Sequence, residues 1–375
     1  MRTLLVLCII GFAGMALARP EIKKSRMPFG YKNIRSGGGA KRPLSPLNVL
    51  LRQHGLSKST KKGSPPKILP PTCAELCPPA RDIEPCACKC TCNSTGCLAN
   101  INCGQELETR FELKKILSLT TYPIRNYSSL LVESTFLDGA ITKDLLGTSV
   151  GFNEINIHHN GFSYIDTHAF NKSGPILKKL YLNNNQISQL DWTLRDMPNL
   201  KQMDVSCNRL SFIPGDAMHN ENLHFLNISH NDIGDVGISA FKGLPKLSHL
   251  DLSHNALTEL GSSSLALINH EDIRLVVNLS HNQINKVEKS AIIGGKLMHI
   301  NMTWNQMKTI NEEVFRHFID LTDGSIHIDV AGNPVECDCR LAWIVRNSTV
   351  SNCFDDFPVC KSTISQVTTD NLGDC

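Results

Sequence analysis

The stretch LKKLYLNNNQI at residues 177–187 decides the fold, because it follows the pattern L-x-x-L-x-L-x-x-N-x-L. In its centre, Leu180 and Leu182 point to one side and Tyr181 to the other, as a β-strand requires. The pattern returns as LKQMDVSCNRL at 200–210, LHFLNISHNDI at 223–233, LSHLDLSHNAL at 247–257 and LMHINMTWNQM at 297–307. Self-similarity at this period predicts a solenoid of stacked repeats.

Asparagines mark the same position of eight successive repeats, at spacings of 23 to 28 residues, and Thr135 takes that place in the first copy. They are Asn160, Asn185, Asn208, Asn231, Asn255, Asn282, Asn305 and Asn333. We expect their amides to satisfy backbone groups where each strand ends. Ten residues further stand apolar side chains that would close the core, namely Phe170, Met218, Phe241, Leu265, Ile292 and Phe315, with Arg195 as the exception. The predicted fold is an α/β-type solenoid, a leucine-rich-repeat horseshoe with a concave parallel β-sheet and an irregular or short-helical convex side.

The first residues predict export. Residues 1–18 contain Arg2, an apolar run and the small-residue pattern Ala16-Leu17-Ala18, which is typical of a secretory signal peptide. No other stretch approaches the roughly 18 apolar residues of a membrane-spanning helix. We therefore predict a secreted, extracellular protein without a transmembrane segment.

Charge divides the rest of the chain sharply. Residues 19–71 hold thirteen lysines or arginines and a single acid, whereas the residues after 71 hold 24 basic and 34 acidic side chains. Because residues 19–71 are rich in Lys, Pro, Gly and Ser and lack a period, we predict a disordered tail. It is either a spacer or propeptide, or a segment that binds an anionic polymer. The predicted domains that follow are an N-terminal cap at 72–104, repeats at 105–334 and a C-terminal cap at 335–375.

Cysteines cluster where the open ends of a solenoid need covers. Eight lie before the repeats, at Cys73, Cys77, Cys86, Cys88, Cys90, Cys92, Cys97 and Cys103. The C-x-C-x-C-x-C run at 86–92 fits either a soft-metal site or a disulfide cap, and export favours disulfides. Their connectivity cannot be read from sequence. A second group comprises Cys337, Cys339, Cys353, Cys360 and Cys375, and Cys207 stands alone.

Histidines precede the asparagine in four repeats, as His159, His230, His254 and His281. Stacked strands would bring them about 5 Å apart, which suits a metal ladder, a pH sensor or simply a comfortable repeat turn. No phosphate loop, zinc-protease motif, nucleophile elbow or convincing dinucleotide fingerprint is present. We therefore predict no enzyme, no cofactor and no metal.

The run at 333–343, NPVECDCRLAW, resembles the cysteine-rich C-terminal cap of extracellular leucine-rich-repeat proteins. Together with Pro85-Cys86-Ala87-Cys88 before the repeats, the chain from about residue 73 to 375 resembles arthropod proteins similar to the non-catalytic subunit of oplophorus-luciferin 2-monooxygenase. The resemblance implies a companion chain without catalytic residues. It also implies that Cys337 pairs with Cys360 and Cys339 with Cys375, which leaves Cys207 and Cys353 unpaired or linked between molecules.

These observations predict a non-catalytic protein-binding scaffold, either the accessory subunit of an extracellular, luciferase-like complex or an adhesion, matrix or immune-recognition protein. We expect an extracellular protein partner and no nucleic acid. Glycosylation sequons stand at Asn93, Asn126, Asn171, Asn227, Asn278, Asn301 and Asn347. Glycans at 227, 278 and 301 would crowd the later part of the sheet. The partner would then bind the early part, at Lys178, Lys179, Tyr181, Lys201, Asp204 and Phe225.

Overall fold

A computed structural model describes residues 72–93, 96–104, 107–119, 122–133, 137–147, 149–166, 168–267, 273–294 and 297–372. The predicted signal peptide and basic tail lie outside these residues. Helices are short and lie mainly towards the two ends, at Cys73–Leu76, Ala80–Ile83, Arg110–Leu117, Glu312–Leu321, Ala342–Val345 and Ser348–Ser351. Single 3-10 turns lie at Cys339–Leu341, Ile364–Gln366 and Thr369–Leu372. None of the helices in the described ranges combines the length and apolarity needed to cross a membrane.

One sheet of eleven strands runs through the repeats. Its strands, in spatial order, are Ala87–Asn93, Gly96–Cys103, Asn126–Glu133, Gly151–His158, Lys179–Tyr181, Gln202–Asp204, Phe225–Asn227, His249–Asp251, Arg274–Asn278, Leu297–Asn301 and Ile326–Asp329. The first two pair antiparallel, and every later pair is parallel. Spatial order follows chain order, so each repeat adds one strand. The predicted solenoid with a parallel stacked sheet is confirmed.

Shorter strands pair away from this sheet. They are Asp138–Ile141 with Gly161–Ile165, Phe212–Ile213 with Asp235–Val236, Glu259–Leu260 with Lys286–Val287, Leu265–Ala266 with Ile292–Ile293, and, in the C-terminal cap, Pro358–Val359 with Ser362–Thr363. The core lies between the main sheet and these segments. The apolar residues ten positions beyond the asparagines are all buried, as predicted. At the exceptional repeat, Leu194 is buried with φ +54° and Arg195 stays exposed.

The asparagine column joins neighbouring repeats. In all eight, the side-chain nitrogen donates to a carbonyl of the preceding repeat, as Asn255 Nδ2 does to Ile228 O at 3.1 Å. From Asn208 onward, Oδ1 also accepts a backbone N–H of the preceding repeat, such as Ile233 N on Asn255 at 3.0 Å. Each amide thereby satisfies buried backbone groups that no strand partner reaches.

Disulfides close the N-terminal end, through Cys77–Cys88, Cys86–Cys103 and Cys92–Cys97. Cys90 is disulfide-bonded too, to a partner outside the described side chains. These bonds identify the C-x-C-x-C-x-C run as a disulfide cap, which resolves the alternative that its sequence left open. The Sγ atom of each of these four cysteines is bonded in a disulfide, so none of them is a thiolate ligand.

Further cysteines lie in the second half of the chain. Cys337 pairs with Cys360, the pairing that the resemblance implied, and Cys339 is bonded to a partner outside the described residues. Cys353 is a free, buried thiol whose pKa is raised by burial. Cys207 is disulfide-bonded to a partner outside the described residues, which excludes the alternative that its thiol is free.

Candidate functional site

Two rows of side chains cross the main sheet on the face turned away from the core. The register of the strands defines an outer row of Glu154, Lys179, Gln202, Phe225, His249, Val276, His299 and His327. It also defines an inner row of Asn156, Tyr181, Asp204, Asn227, Asp251, Asn278, Asn301 and Asp329. The inner row falls between the two buried apolar residues of each L-x-L.

Neighbouring side chains of the early repeats contact each other across the strands. Lys179 Nζ lies 3.3 Å from Glu154 Oε2, and the Tyr181 hydroxyl donates to Gln202 Oε1 at 2.8 Å. Burial raises the pKa of Tyr181, so its phenol stays neutral and available as a donor. Phe225 lies with its ring centroid 6.1 Å from that of His249. These contacts fix an arrangement of charged, polar and aromatic groups on a rigid strand surface.

The six residues predicted to bind a partner are not equally accessible. Lys178 and Lys201 are exposed, and Lys179, Tyr181 and Phe225 are half-buried. Asp204, in contrast, is only 5% exposed, and its carboxylate accepts the Ser206 backbone N–H at 2.9 Å and the Ser206 hydroxyl at 2.6 Å. The prediction that Asp204 contributes to a contact surface is therefore wrong. Strand alternation points the side chain outward, but its own turn and its neighbours cover it.

From Asp204 onward the side chains of the inner row have a structural role that sequence analysis missed. The side-chain oxygens of Asp204, Asn227, Asp251, Asn278, Asn301 and Asp329 each accept the backbone N–H two residues later, at 2.9 to 3.2 Å. Such Asx turns stabilise a chain reversal locally. The signal was in the sequence, because only Asp and Asn occupy this row after Tyr181.

The same turns explain three of the sequons. Asn227, Asn278 and Asn301 are followed two residues later by Ser or Thr, and the Ser229 hydroxyl also donates to Asn227 Oδ1 at 2.7 Å. Asp occupies the equivalent place in other repeats, where no glycan can be attached. The Asn-x-Ser pattern therefore has a reason in the turn itself, which weakens it as a signal for glycosylation and leaves glycans on this face a proposal.

The residue before each asparagine of the column lies in the left-handed region, with or without an Asx turn before it. His230, His254, His281 and Trp304 have φ of +53° to +55°. Their rings stack in a row that we call the imidazole ladder, with centroid distances of 4.1, 4.3 and 5.8 Å and interplanar angles of 8°, 10° and 6°. Parallel rings hold their nitrogen lone pairs in separate parallel planes, so adjacent imidazoles cannot converge on one ion. The geometry disfavours the metal-ladder alternative.

Burial and the facing rings lower the pKa values of two ladder histidines. The pKa of His254 is lowered to about 4, chiefly by burial and then by His230 and His281, against the opposing effect of Asp251. The pKa of His230 is lowered by burial and by His281, again opposed by Asp251. His159, which the sequence placed in the same column, lies outside the ladder, because the corresponding residue of the next repeat is Asn184.

Two depressions lie elsewhere on the described surface. One, of about 690 Å³, lies between the N-terminal end of helix Glu312–Leu321 and the C-terminal cap. Its arginines are already engaged: Arg340 with Glu336 and Asp338, and Arg316 with Glu312 and the Trp343 ring. The other, beside the ion pair of His168 and Asp196, has about 30 Å³, room for about one water molecule. Among the described residues that line them, no hydrogen bond joins a nucleophile to an activating base.

The fold, the asparagine column and the parallel sheet define a leucine-rich-repeat protein. The family described as "Leucine rich repeat" matches residues 152–210, 177–233 and 221–270. Fibromodulin from Oryctolagus cuniculus is 33% identical over 134 residues, which cover 36% of this chain and 88% of that protein. The chain belongs to the leucine-rich-repeat family.

A more extended similarity is to the oplophorus-luciferin 2-monooxygenase non-catalytic subunit from Oplophorus gracilirostris, 26% identical over 301 residues, which cover 73% of this chain and 80% of that protein. The expected resemblance is confirmed. Among solved structures, a crystal structure of a TLR13–ssRNA13 complex matches with a TM-score of 0.51 at 15% identity, covering 69% of this chain and 35% of that one. This last likeness concerns the fold alone.

Proposed function

We propose that the chain is a secreted, non-catalytic scaffold that binds an extracellular protein partner through the early strand face. By early strand face we mean Glu154, Lys178, Lys179, Tyr181, Lys201, Gln202 and Phe225. The observation that carries the proposal is the contrast within the inner row. Tyr181 occupies a place where six later repeats need Asp or Asn for the turn.

The composition of this face suits protein recognition. Half-buried aromatic rings that already hold one geometry lose little conformational entropy when a partner covers them, and aromatic and basic residues dominate binding hot spots. Lys178 and Lys201 are exposed beside Tyr181 and Phe225 and supply the charge. Asp204 is left out of this surface because it is buried.

Similarity to a non-catalytic subunit supports an accessory role in an extracellular complex. In that case the partner is an enzyme chain that performs the chemistry, as in a luciferase-like assembly. Export is supported by the signal-peptide pattern at 1–18 and by disulfides at both ends of the described chain. The same disulfides stabilise a protein that works outside the reducing cytosol.

A second candidate is an adhesion, matrix or recognition protein. The observation that favours it is the basic segment 19–71, with thirteen lysines or arginines against one acid, which attracts anionic polymers. Removal of this segment would abolish retention on an anionic-polymer column in that case, and would leave capture of a protein partner unchanged if the early strand face is the functional surface.

The decisive experiment is capture of partners from the native extracellular fluid by the tagged full chain and its variants. Tyr181→Ala combined with Lys201→Glu should weaken capture of one stoichiometric protein at least about tenfold, or about 1.4 kcal/mol, without lowering the melting temperature. The matched control is Trp304→Ala combined with Lys242→Glu, which changes an exposed aromatic and an exposed lysine elsewhere. Unchanged capture by the first pair, with loss in the control, would place the site in the later repeats.

A further inference from the structure

We propose that the imidazole ladder is a pH-responsive device: neutral rings keep the stack closed and hold Trp304 in place, and a charge on the central ring opens it. The proposal is independent of the early strand face. It concerns the turn row of the later repeats, where His230, His254 and His281 form an unbroken stack that ends on Trp304.

The backbone fixes the positions from which the rings project. Each ladder residue donates its backbone N–H to the next repeat: His230 to Ser253 O, His254 to Ser280 O and His281 to Thr303 O, each at 3.0 Å. Trp304 continues the series with Ala331 O at 2.9 Å. The repeats therefore cannot move apart to relieve repulsion between rings. Only rotation of the side chains can do so.

The charges around the ladder favour protonation in separate steps. Two imidazolium rings in adjacent positions would repel each other at little more than 4 Å, whereas charges on His230 and His281 are separated by the neutral ring of His254. Asp251 is the acidic group that acts on both His230 and His254. The lowered pKa of His254, about 4, agrees with an order in which the central ring is charged last.

Trp304 is the element that the ladder controls. Its ring lies parallel to His281, and a Cβ placed on Gly332 would come within 2.8 Å of its Cδ2 atom. The indole is thus held between an imidazole and a backbone without a side chain, although 61% of the residue remains exposed. When the stack opens, the face of the indole that His281 covers becomes accessible. Acid would then enlarge an aromatic surface that is only partly exposed at neutral pH.

The order of protonation is tested by NMR titration of the histidine ring protons in the full chain. Asparagine suits the left-handed backbone here, because Asn184 has φ +56° at the equivalent position. In His230→Asn and His281→Asn, the titration midpoint of His254 should rise by about one pH unit or more. His249→Asn, in the outer row, is the control and should leave it unchanged. A His254 midpoint that is the same in all four proteins overturns the proposal.

The coupling to Trp304 is tested by acrylamide quenching of its fluorescence, taken as the difference between the wild type and Trp304→Phe. We expect quenching to increase about twofold between pH 7 and pH 3.5, while far-UV circular dichroism shows that the fold persists. In His281→Asn, quenching should already be high at pH 7. If the wild type unfolds in acid, the His281→Asn variant still tests at pH 7 whether His281 covers Trp304. Quenching in His281→Asn at pH 7 equal to that of the wild type overturns the proposal.

Discussion

His159 and His254 occupy the same position of their repeats and the same left-handed backbone, yet they lie in different surroundings. His254 stacks between two imidazoles at 4.1 and 4.3 Å. His159 meets the edge of His158, with ring centroids 4.8 Å apart and planes at 76°. The difference arises from the neighbouring repeats, since a ring can stack only where the next repeat also supplies a ring.

The comparison extends to whole regions. In the later repeats every inner-row residue closes an Asx turn, and every ladder position repeats the same geometry. In the early repeats Tyr181 interrupts the inner row and turns its hydroxyl to Gln202. The later repeats therefore use their outward side chains for folding, whereas the early repeats leave theirs for contacts. Four predictions test this division.

The largest effect is expected in the asparagine column. Asn255→Ala removes three donated hydrogen bonds and the acceptor for Ile233 N–H. Asn185→Ala removes three donated bonds, but its Oδ1 has no hydrogen-bond partner among the described residues. We expect losses in unfolding free energy of about 3 and about 2 kcal/mol, because each orphaned buried group is costly. Guanidinium unfolding measures both, and equal losses would contradict the division.

Gly332 should show the next largest effect. It has φ +75°, and an added Cβ would press on the Trp304 ring. Gly332→Ala should therefore cost about 1 to 2 kcal/mol through backbone strain and displace the indole. Gly234→Ala is the control, because nothing lies within 4 Å of a Cβ there. A Gly332→Ala protein as stable as the control, with unchanged Trp304 fluorescence, would show that Gly332 does not hold the indole of Trp304 in place.

Burial of Asp204 predicts that its replacement by Asn stabilises the protein in a pH-dependent way. Burial raises its pKa, so the folded protein binds the proton more tightly than the unfolded chain does. Protonated Asp204 therefore favours folding in acid. This contribution is lost as pH rises from the pKa of Asp204 in the unfolded chain through its higher pKa in the folded protein. Asp204→Asn keeps an acceptor for Ser206 and should stabilise the protein at pH 7 by about 0.5 to 1 kcal/mol. This advantage should vanish at pH 3, whereas half-buried Asp329→Asn should change stability less at either pH.

The phase of the repeats, the buried apolar positions and the asparagine column could be predicted because each depends on one residue type recurring at one place. Apolar Leu180 and polar Asn185 keep their roles whatever the neighbouring repeat contains. Burial of Asp204 could not be predicted in this way. Alternation places it outward, and only the turn to Ser206 together with the adjacent strands encloses it.

Contacts between repeats were also harder to predict, because they depend on which residues the neighbouring repeat supplies. The sequence grouped His159 with His230, His254 and His281, but stacking depends on which ring follows 23 to 27 residues later. The presence of Trp304 at the end of the ladder, and of a glycine beyond it, was visible in the sequence only once the left-handed position had been identified. The disulfides of the N-terminal cap required the strand register, which cysteine spacing does not determine.

The smallest effect should come from the early strand face, and it tests the division most directly. Lys179→Ala breaks the contact with Glu154, but both side chains remain partly exposed, at 43% and 34%. Exposed ion pairs contribute little, so unfolding free energy should change by less than about 0.5 kcal/mol at low and at high salt. Glu154→Gln, which removes the same pair from the other side, should behave alike.

These two variants matter because a residue reserved for contacts is one whose loss the fold tolerates. If either variant lowers stability by about 2 kcal/mol, as a change in the asparagine column does, the early side chains are part of the framework. Their arrangement would then need no partner to explain it. If stability is unchanged while capture of the partner falls, the side chains of the early repeats are free for binding because, unlike those of the later repeats, they hold no turn together.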